Sequence, residues 1–425
     1  MTFTLNNLRK IKRYGFFLET DYARYYLGSA LLAFLAIPHY LLIGERAGYR
    51  PHPLFDPITF RKNAGSRVQR DECALVAYIE RFAAQDVSPS LEFEHGWYAW
   101  QNADWSQNYS HPFLHCVKHG LPTGSDPAPG VDVRQLMRMS GLSGAALVSA
   151  IFDDIHQFGR LPDSYAIYSF DELRTRQETF RKSIRADKLS DRRAGRRRFL
   201  VYVQASCDFQ RAFLHGERTF DVLLNHYDRR PDAPNAAADI VIYQRGTKTT
   251  AIAHLLETEP DLLTDYEAVL FLDDDIQLSK QQIEMLFASM ADHDLDLAQP
   301  SLSPESDCIW QVFKQPNVGD SVRRVSSVEI MMPCLSRRAL QEVGWVFAES
   351  VSGFGVDLLF GHLLSTQYGA RAGVLGAVVA SHEKRIDDRE GAFYNFMRDN
   401  RINPKMELWS IMKRFDVIAD FVYLS

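Results

Sequence analysis

The sequence has few cysteines, no strong excess of charge and no long hydrophobic run. Its five cysteines are scattered and never form a C-x-x-C pair, which argues against a disulfide framework or a zinc site and favours a reducing compartment. The formal net charge of −6 gives no basis for general nucleic-acid binding. At 425 residues, 46% of them hydrophobic, the chain has ordinary globular composition and the length of two or three domains.

The N-terminus is basic but lacks the apolar core and cleavage site of a secretory signal. Residues 27–44 form an apolar stretch of 18 residues without a formal charge, which reaches only the lower limit for a transmembrane helix. Pro38 and His39 interrupt it. We therefore expect the core of a soluble helical unit here, rather than a membrane span, and a cytoplasmic protein.

A period of 38 residues runs through the N-terminal third. Three acidic residues recur at this spacing, and similar residues lie twelve and sixteen positions before each of them. The three sets are Asp56, Glu94 and Asp132; Gly44, Phe82 and Gly120; and Tyr40, Tyr78 and Cys116. An aromatic residue also follows the acidic one by four positions in three pairs, Asp21–Tyr25, Asp56–Phe60 and Glu94–Tyr98. The spacing predicts a region of short helical repeats over residues 1–132, each packing on its neighbour; a coincidence within a helical domain is the alternative.

Residues 133–197 are predicted to form a helical connector, because apolar residues recur at helical spacing and a highly charged helix follows. The stretch DRRAGRRR at 191–198 holds five arginines. Two interpretations stay open for it: an exposed linker, or a contact with an anionic lipid surface or a phosphate-bearing substrate.

From residue 198 to 425 the pattern predicts an α/β domain. Short apolar runs bounded by turn residues alternate with helical stretches, which is typical of βαβ units. The predicted strands are 199–204, 221–227, 239–244, 268–272, 296–302, 326–336 and 372–382, with helices predicted over 209–218, 251–257 and 279–291.

Three adjacent carboxylates, Asp273, Asp274 and Asp275, directly follow the buried strand 268–272. Ligands of open α/β sheets bind outside the carboxyl ends of strands, and neighbouring carboxylates repel unless a cation compensates them. In extended backbone Asp273 and Asp275 point to one side and Asp274 to the other. The pattern therefore predicts a site where Mg²⁺ or Mn²⁺ is held against a diphosphate, with a solvated acidic turn as the alternative.

A glycine-rich turn at 351–357 is the second candidate feature. Gly353 and Gly355 allow close backbone approach, and Asp357 begins an apolar, helix-like run. A helix N-terminus suits sugar hydroxyls or an anion. The alternative is that Asp357 only caps its helix.

Further polar residues lie near the ends of predicted strands. His382 ends strand 372–382 and could serve either as a structural residue or as a metal ligand. Arg245 and Lys248 precede a helix, where basic side chains meet phosphates or simply face solvent. Glu329 is a charge within an apolar predicted strand, so we expect it to be either salt-bridged or directed into the cleft.

These residues, in this order, resemble the GT-A glycosyltransferases. More narrowly, residues 267–382 resemble an uncharacterised glycosyltransferase-like family with D-E-D and G-W-G-x-D motifs. The corresponding segments are FLDDD (271–275), AQPSL (298–302), VEIMMP (328–333) and GFGVD (353–357). The departures are Asp274 for Glu and Phe354 for Trp. The N-terminal units resemble short helical repeats found beside bacterial surface-polysaccharide glycosyltransferases.

The resemblance implies a GT-A fold, Rossmann-like with a mixed sheet, preceded by an all-α region of short repeats. It implies a metal-dependent enzyme that moves a sugar from a nucleotide-sugar donor to a glycan or glycolipid acceptor in bacterial surface-polysaccharide synthesis. Peripheral contact with the inner face of the membrane stays open through the lipid interpretation of residues 191–198. The implied roles are metal ligation by Asp273, Asp275 and His382; general base catalysis by Asp357; and substrate binding by Asp273, Asp274, Arg245, Lys248, Gly353, Gly355 and Glu329.

Two other functions remain open. A metal-dependent phosphatase or phosphotransferase also uses paired aspartates, but its nucleophile usually follows the first strand, which here ends at Gln204–Asp208. A catalytically inactive glycan-binding scaffold would use the repeats, and the intact Asp273, Asp275 and Asp357 argue against it.

Overall fold

The computed structural model describes residues 5–158, 169–308, 310–315, 322–382 and 391–424. The chain divides into two compact units, of which the first ends at Phe170 and the second begins at Asp171. The predicted connector 133–197 is therefore shared between the two units.

The first unit is all-α where the structure describes it. Its α-helices are α1 (Leu5–Tyr14), α2 (Glu19–Tyr26), α3 (Ala36–His39), α4 (Pro57–Ala64), α5 (Ala74–Ala77), α6 (His95–Gln101), α7 (Pro112–His115), α8 (Leu121–Thr123), α9 (Val133–Ser140) and α10 (Gly144–Phe158). A buried core rich in aromatic side chains holds these helices together.

A 38-residue period is also present in the structure of the first unit. One π-helical turn follows each of the short helices α3, α5 and α7, and these turns are Tyr40–Gly44, Tyr78–Phe82 and Cys116–Gly120. The links between successive units keep the same period, since the backbone N–H groups of Leu18, Asp56 and Glu94 donate to the carbonyls of Pro51, Pro89 and Pro127. Each link ties the start of one helix to the Pro-rich turn of the following unit.

The glycines at the ends of the first and third π turns are required by a tyrosine. A Cβ on Gly44 would lie 2.0 Å from the Tyr22 hydroxyl oxygen, and one on Gly120 would lie 1.9 Å from that of Tyr98. In the middle unit the equivalent pair is Phe60 and Phe82, whose rings meet edge to face at 5.4 Å. In the middle unit two positions have therefore changed together: Phe60 lacks the tyrosine hydroxyl, and Phe82 replaces the glycine.

The prediction that Tyr25 begins the aromatic series is wrong. Tyr22 lies 38 residues before Phe60 and is fully buried, whereas Tyr25 is partly exposed and its hydroxyl donates to Asp153. The first unit has Leu18 where later units have an acidic residue, and Leu18 begins α2 without a side-chain cap. Counting four positions from Asp21 therefore led to Tyr25 instead of Tyr22.

The apolar stretch 27–44 is not one straight helix. Among the described residues no single helix is long and apolar enough to cross a membrane. One pair of helices, Glu19–Tyr26 and Ala30–Gly44, passes the same test together on length and composition, and the two helices are bent by 109° relative to each other.

The second unit is an α/β fold. Its strands are β1 (Ala186–Asp191), β2 (Phe199–Ala205), β3 (Phe220–His226), β4 (Ile240–Gln244), β5 (Ala268–Asp273), β6 (Ile276–Gln277), β7 (Leu297–Leu302), β8 (Val322–Arg324), β9 (Cys334–Ser336) and β10 (Ala372–His382). Its helices are α11 (Phe170–Ser183), α12 (Lys248–Thr258), α13 (Asp261–Thr264), α14 (Lys280–Asp292), α15 (Arg337–Val343), α16 (Val356–Tyr368), α17 (Ala392–Asp399) and α18 (Pro404–Phe415).

The strands form one mixed sheet in the order β1-β4-β3-β2-β5-β9-β7-β10-β6, with β8 paired to β10. Strands β2 to β5 pair in parallel, and β9 runs antiparallel to both β5 and β7. Strand β7 therefore runs parallel to β5, as does β10, which pairs with β7 in parallel. The carboxyl ends of these six strands lie at one edge of the sheet. The predicted fold, a Rossmann-like mixed sheet after an all-α region of short repeats, is confirmed.

Three predicted elements are wrong. The helical connector contains a strand, since Ala186–Asp191 pairs with β4 as a polar edge strand with no apolar run to reveal it. The predicted helix 209–218 is a short 3₁₀ turn at Ala212–Leu214. The predicted strand 326–336 is a strand only at Cys334–Ser336, so Glu329 lies in a loop.

The arginine-rich stretch 191–198 is engaged with groups of its own unit. Each arginine side chain contacts a carbonyl or a carboxylate, and the pairs are Arg192 with Asn235 O, Arg193 with Asp191, Arg196 with Asp265, Arg197 with Asp221 and Asp239, and Arg198 with Glu267. This local neutralisation leaves little positive charge for a lipid surface or a phosphate.

Candidate active site

Polar side chains gather at the edge of the sheet where the parallel strands end. Strand β5 ends at Asp273, and β10 ends at His382. The hairpin-like return from Asp274 and Asp275 leads into β6, whose residue Ile276 pairs with His382. The sheet thus brings together residues that are separated by more than a hundred positions in the sequence.

Asp274 lies in the turn after β5, and its partners differ from those of Asp273 and Asp275. Its carboxylate accepts hydrogen bonds from the backbone N–H of Ser206 at 2.8 Å and from the Tyr227 hydroxyl at 3.5 Å. The guanidinium of Arg211 donates to its main-chain oxygen at 2.7 Å. Asp274 therefore fixes the turn against the ends of β2 and β3.

Asp273 is paired with Lys248, the first residue of α12. The Lys248 ammonium donates to Asp273 Oδ1 at 2.9 Å and to the main-chain oxygens of Ile330 and Met331 at 2.7 and 2.9 Å. These three acceptors use the three protons of the ammonium. Burial lowers the pKa of Lys248, and the neighbouring Asp273 opposes this. Lys248 thus links the start of α12 to the end of β5 and to the loop at 330–331. This structural role differs from the phosphate contact that was predicted for Lys248.

Asp275 and His382 form the second pair, with Asp275 Oδ2 3.6 Å from His382 Nε2. The other ring nitrogen, Nδ1, lies 3.3 Å from the main-chain oxygen of Asp307, which can only accept. In the neutral imidazole the proton is therefore on Nδ1, and the Nε2 lone pair faces Asp275. The bond to Asp275 raises the pKa of His382.

Asp275 and His382 are residue types that divalent cations use as ligands. Metal-binding histidines commonly donate their second ring N–H to a carbonyl, as Nδ1 does here, and Mg²⁺ uses one or two carboxylates beside water and substrate phosphates. Within the described ranges no three acidic, histidine or cysteine side chains form a group that could hold a metal. The structure therefore brings together Asp275 and His382 of the predicted ligand set, and it commits one oxygen of Asp273 to Lys248.

Two further carboxyl groups, Glu329 and Asp357, lie near Asp275 and His382. Burial raises the pKa of Glu329 to about 8, and the charges of Asp357 and Asp273 add to this effect. Burial raises the pKa of Asp357 to about 6, while hydrogen bonds from the N–H groups of Leu358 and Ile330 partly oppose the rise. At neutral pH Asp357 is ionised and Glu329 is largely protonated.

The glycines before Asp357 shape the start of α16. Gly353 and Gly355 have φ angles of 90° and 82°, which favour glycine over any residue with a Cβ. Gly355 is the N-cap residue, so Asp357 lies in the first helical turn and is not the cap. Arg245 follows β4 as an exposed side chain.

Glu407 is a functional candidate that the sequence did not reveal. This fully buried carboxylate on α18 accepts from the backbone N–H groups of Val351 and Ser352 at 2.7 and 2.8 Å, from the Ser350 hydroxyl at 3.0 Å and from Gln177 Nε2 at 2.8 Å. It therefore holds the loop that leads into Gly353, Gly355 and Asp357. No local pattern marks it, because its partners are distant in sequence.

Comparisons with known proteins give distant likenesses. No protein-family model matches the sequence, and no curated protein sequence matches it. One similar solved structure is the crystal structure of GalNAc-T7 with UDP, GalNAc and Mn²⁺, at 9% identity and a TM-score of 0.33, covering 45% of this chain and 44% of that one. Another is S. aureus TarS 1–349 in complex with UDP-GlcNAc, at 14% identity and a TM-score of 0.28, covering 51% and 72%. The chain thus spans less than half the length of the GalNAc-T7 chain.

Proposed function

We propose that the second unit is a metal-dependent glycosyltransferase that moves a sugar from a nucleotide-sugar donor to a glycan or glycolipid acceptor. One observation carries the proposal. At the carboxyl edge of the sheet, the carboxylate–imidazole pair Asp275 and His382 lies near two partly buried carboxyl groups of raised pKa, Glu329 and Asp357. Titratable groups whose environments push their pKa values apart are typical of acid–base chemistry.

In this proposal Asp275 and His382 would hold Mn²⁺ or Mg²⁺. A divalent cation there would neutralise the charge that develops on the leaving nucleoside diphosphate. Lys248 keeps Asp273 in place, and Asp274 fixes the turn. Asp357 takes the proton of the acceptor hydroxyl, because its pKa of about 6 makes it an ionised base at neutral pH.

The biological setting is also a proposal. The resemblance of the first unit to repeats beside bacterial polysaccharide enzymes supports a cytoplasmic role in surface-polysaccharide synthesis. We assign catalysis to the predicted region 198–425 together with the strand at Ala186–Asp191, which completes its sheet. The repeat region 1–132 would then serve recognition or placement.

Calorimetric titration of the full chain with a panel of nucleoside diphosphates, with and without Mn²⁺, tests the metal site. Asp275→Asn should lose the Mn²⁺-dependent part of the affinity, by at least about tenfold. Asp292→Asn, an exposed change at the end of α14, is the matched control. Unchanged Mn²⁺ dependence in Asp275→Asn would contradict the proposal.

Product analysis separates the alternatives. Hydrolysis of a nucleotide sugar with Mn²⁺ supports the transferase, release of phosphate from a phosphomonoester supports the phosphatase, and glycan binding without either reaction supports the scaffold. The phosphatase alternative is weakened by Asp208, which follows the first parallel strand but is exposed and paired with Arg229.

A further inference from the structure

The Ala30–Gly44 helix of the first unit carries an exposed apolar face. Its members are Leu31, Phe34, Leu35, Leu42 and Ile43, which are between 42% and 88% exposed. Soluble proteins rarely expose so many large apolar side chains on one short helix, and a patch of this kind marks an interaction surface. It lies outside the proposed active site and is independent of the proposed function.

The opposite side of the same helix is anchored in the core. Ala36, Ile37, Tyr40 and Leu41 are buried, and the Tyr40 ring packs edge to face on Phe17 and Tyr22 at 5.5 and 6.0 Å. The helix therefore lies along the unit with one side inward and the other outward. The exposed apolar side is therefore held in place by the protein core and is available to a partner.

Exposed basic residues lie on the neighbouring helix α1 and directly after the apolar helix, although the full sequence has a net charge of −6. Residues 5–50 contain seven basic residues, of which Lys10, Arg24 and Arg50 are ion-paired with acidic side chains. Helix α1 packs against α3, in the middle of the apolar helix, and exposes Arg9, Lys12 and Arg13. Arg46 follows the apolar helix directly and is also exposed.

We infer that this face docks on an anionic lipid surface: the exposed apolar side chains enter the interface while the basic residues of α1 and Arg46 meet lipid phosphates. Charge complementarity favours this partner over a second copy of the chain, because two such faces would bring their basic residues together. The attraction of each basic residue to an anionic membrane adds to the affinity that burial of the apolar side chains supplies. The surface differs from the arginine stretch 191–198, whose charges are compensated within the second unit.

Co-sedimentation of the full chain with vesicles tests the inference without sugar or metal. The wild-type chain should bind vesicles of phosphatidylcholine and phosphatidylglycerol in equal parts, and bind pure phosphatidylcholine much less. Leu31→Asn with Phe34→Asn should weaken binding by at least about tenfold, because two exposed apolar side chains no longer enter the interface. Lys12→Glu with Arg13→Glu should weaken binding to the anionic vesicles only.

Ile418→Asn is the matched control, since Ile418 is an exposed apolar residue of the second unit. Circular dichroism should show the same helix content in all variants, because the changed side chains are exposed. Three results would overturn the inference: no binding to anionic vesicles, equal loss in the control, or loss of self-association in the Leu31/Phe34 variant with vesicle binding unchanged. The last result would identify the face as a contact between copies.

Discussion

The ammonium of Lys248 lies 2.9 Å from Asp273 Oδ1, and it is the buried member of this ion pair. The same group also holds the loop carrying Ile330 and Met331, so a single side chain links the start of α12 to the acidic turn and to the neighbourhood of Glu329. Such a contact positions the site even without a substrate.

Replacing this lysine should destabilise the second unit. Lys248→Met leaves Asp273 and two carbonyls without their donor, at a cost of about 2–3 kcal/mol, below the full value for a buried pair because Asp273 is partly exposed. Urea denaturation measures the change. Arg245→Met, an exposed basic residue three positions earlier, should change stability by no more than about 0.5 kcal/mol. Equal stability of the two variants would contradict the role given to Lys248.

Asp357→Asn should lower turnover by about 10²–10⁴-fold while donor binding persists, because the amide cannot take a proton. If the proposed function holds, the turnover of the wild-type protein should rise as pH passes through about 6 and then level off, since the pKa of Asp357 lies there. The measurement is kcat and donor affinity across pH. Near-normal turnover in Asp357→Asn, together with a collapse in a folded Glu329→Gln, would transfer the base role to Glu329.

Glu329 should make stability depend on pH. Its folded pKa of about 8 exceeds the ordinary 4.5, so the folded state holds the proton more tightly and this contribution is lost as pH rises from 4.5 through about 8. Glu329→Gln removes the ionisation and should be more stable than wild type above pH 8, by about 1–3 kcal/mol after allowance for partial exposure. Urea midpoints of both proteins at pH 5 and pH 9, chosen as roughly the ends of this window, measure it. Parallel pH profiles would show that Glu329 does not titrate in this way.

Glu407→Gln should loosen the loop before Asp357. The amide N–H₂ faces backbone donors, so one of the hydrogen bonds to Val351 or Ser352 becomes repulsive, with a loss of about 1–3 kcal/mol. If Glu407 acts by positioning, kcat should fall more than donor affinity. Glu342→Gln, an exposed change on α15, is the control. A stability loss with unchanged kcat would restrict Glu407 to a structural role.

Gly120→Ala should destabilise the first unit, because the new Cβ meets the Tyr98 hydroxyl. The expected cost is about 1–3 kcal/mol, measured by thermal or urea unfolding. Tyr98→Phe in the same chain should recover part of this loss, although it also removes the 2.7 Å hydrogen bond to His115 Nδ1. Additive losses in the double variant would rule out the steric explanation.

The apolar strands could be predicted from the sequence because buried parallel strands read as short hydrophobic runs. β2, β3, β5 and β10 begin within one residue of their predicted starts. The edge strand Ala186–Asp191 could not be found this way, because one of its sides faces solvent and its residues are polar. Glu329 was misplaced for the opposite reason: an apolar run around it suggested a strand, whereas those residues fill a loop.

The candidate site was predictable where residues directly follow strands, as Asp273–Asp275 and His382 do. The pairing of Lys248 with Asp273 was not, because it depends on the start of α12 meeting the end of β5 through the fold. Glu407 was the hardest residue to predict from the sequence. Its helix begins after Asn403 and looks ordinary in sequence, and its partners lie in α11 and in the loop at 350–352.

The first unit packs either a tyrosine against a glycine or a phenylalanine against a phenylalanine, and the two partners are 22 residues apart. The fit between units therefore depends on pairs of positions rather than on single residues. A unit can diverge in sequence and still stack correctly if both positions change together, whereas a single change creates either a collision or a void. Segments recombined between units would therefore have to carry both partners, Tyr22 with Gly44 or Phe60 with Phe82, to keep the stacking intact.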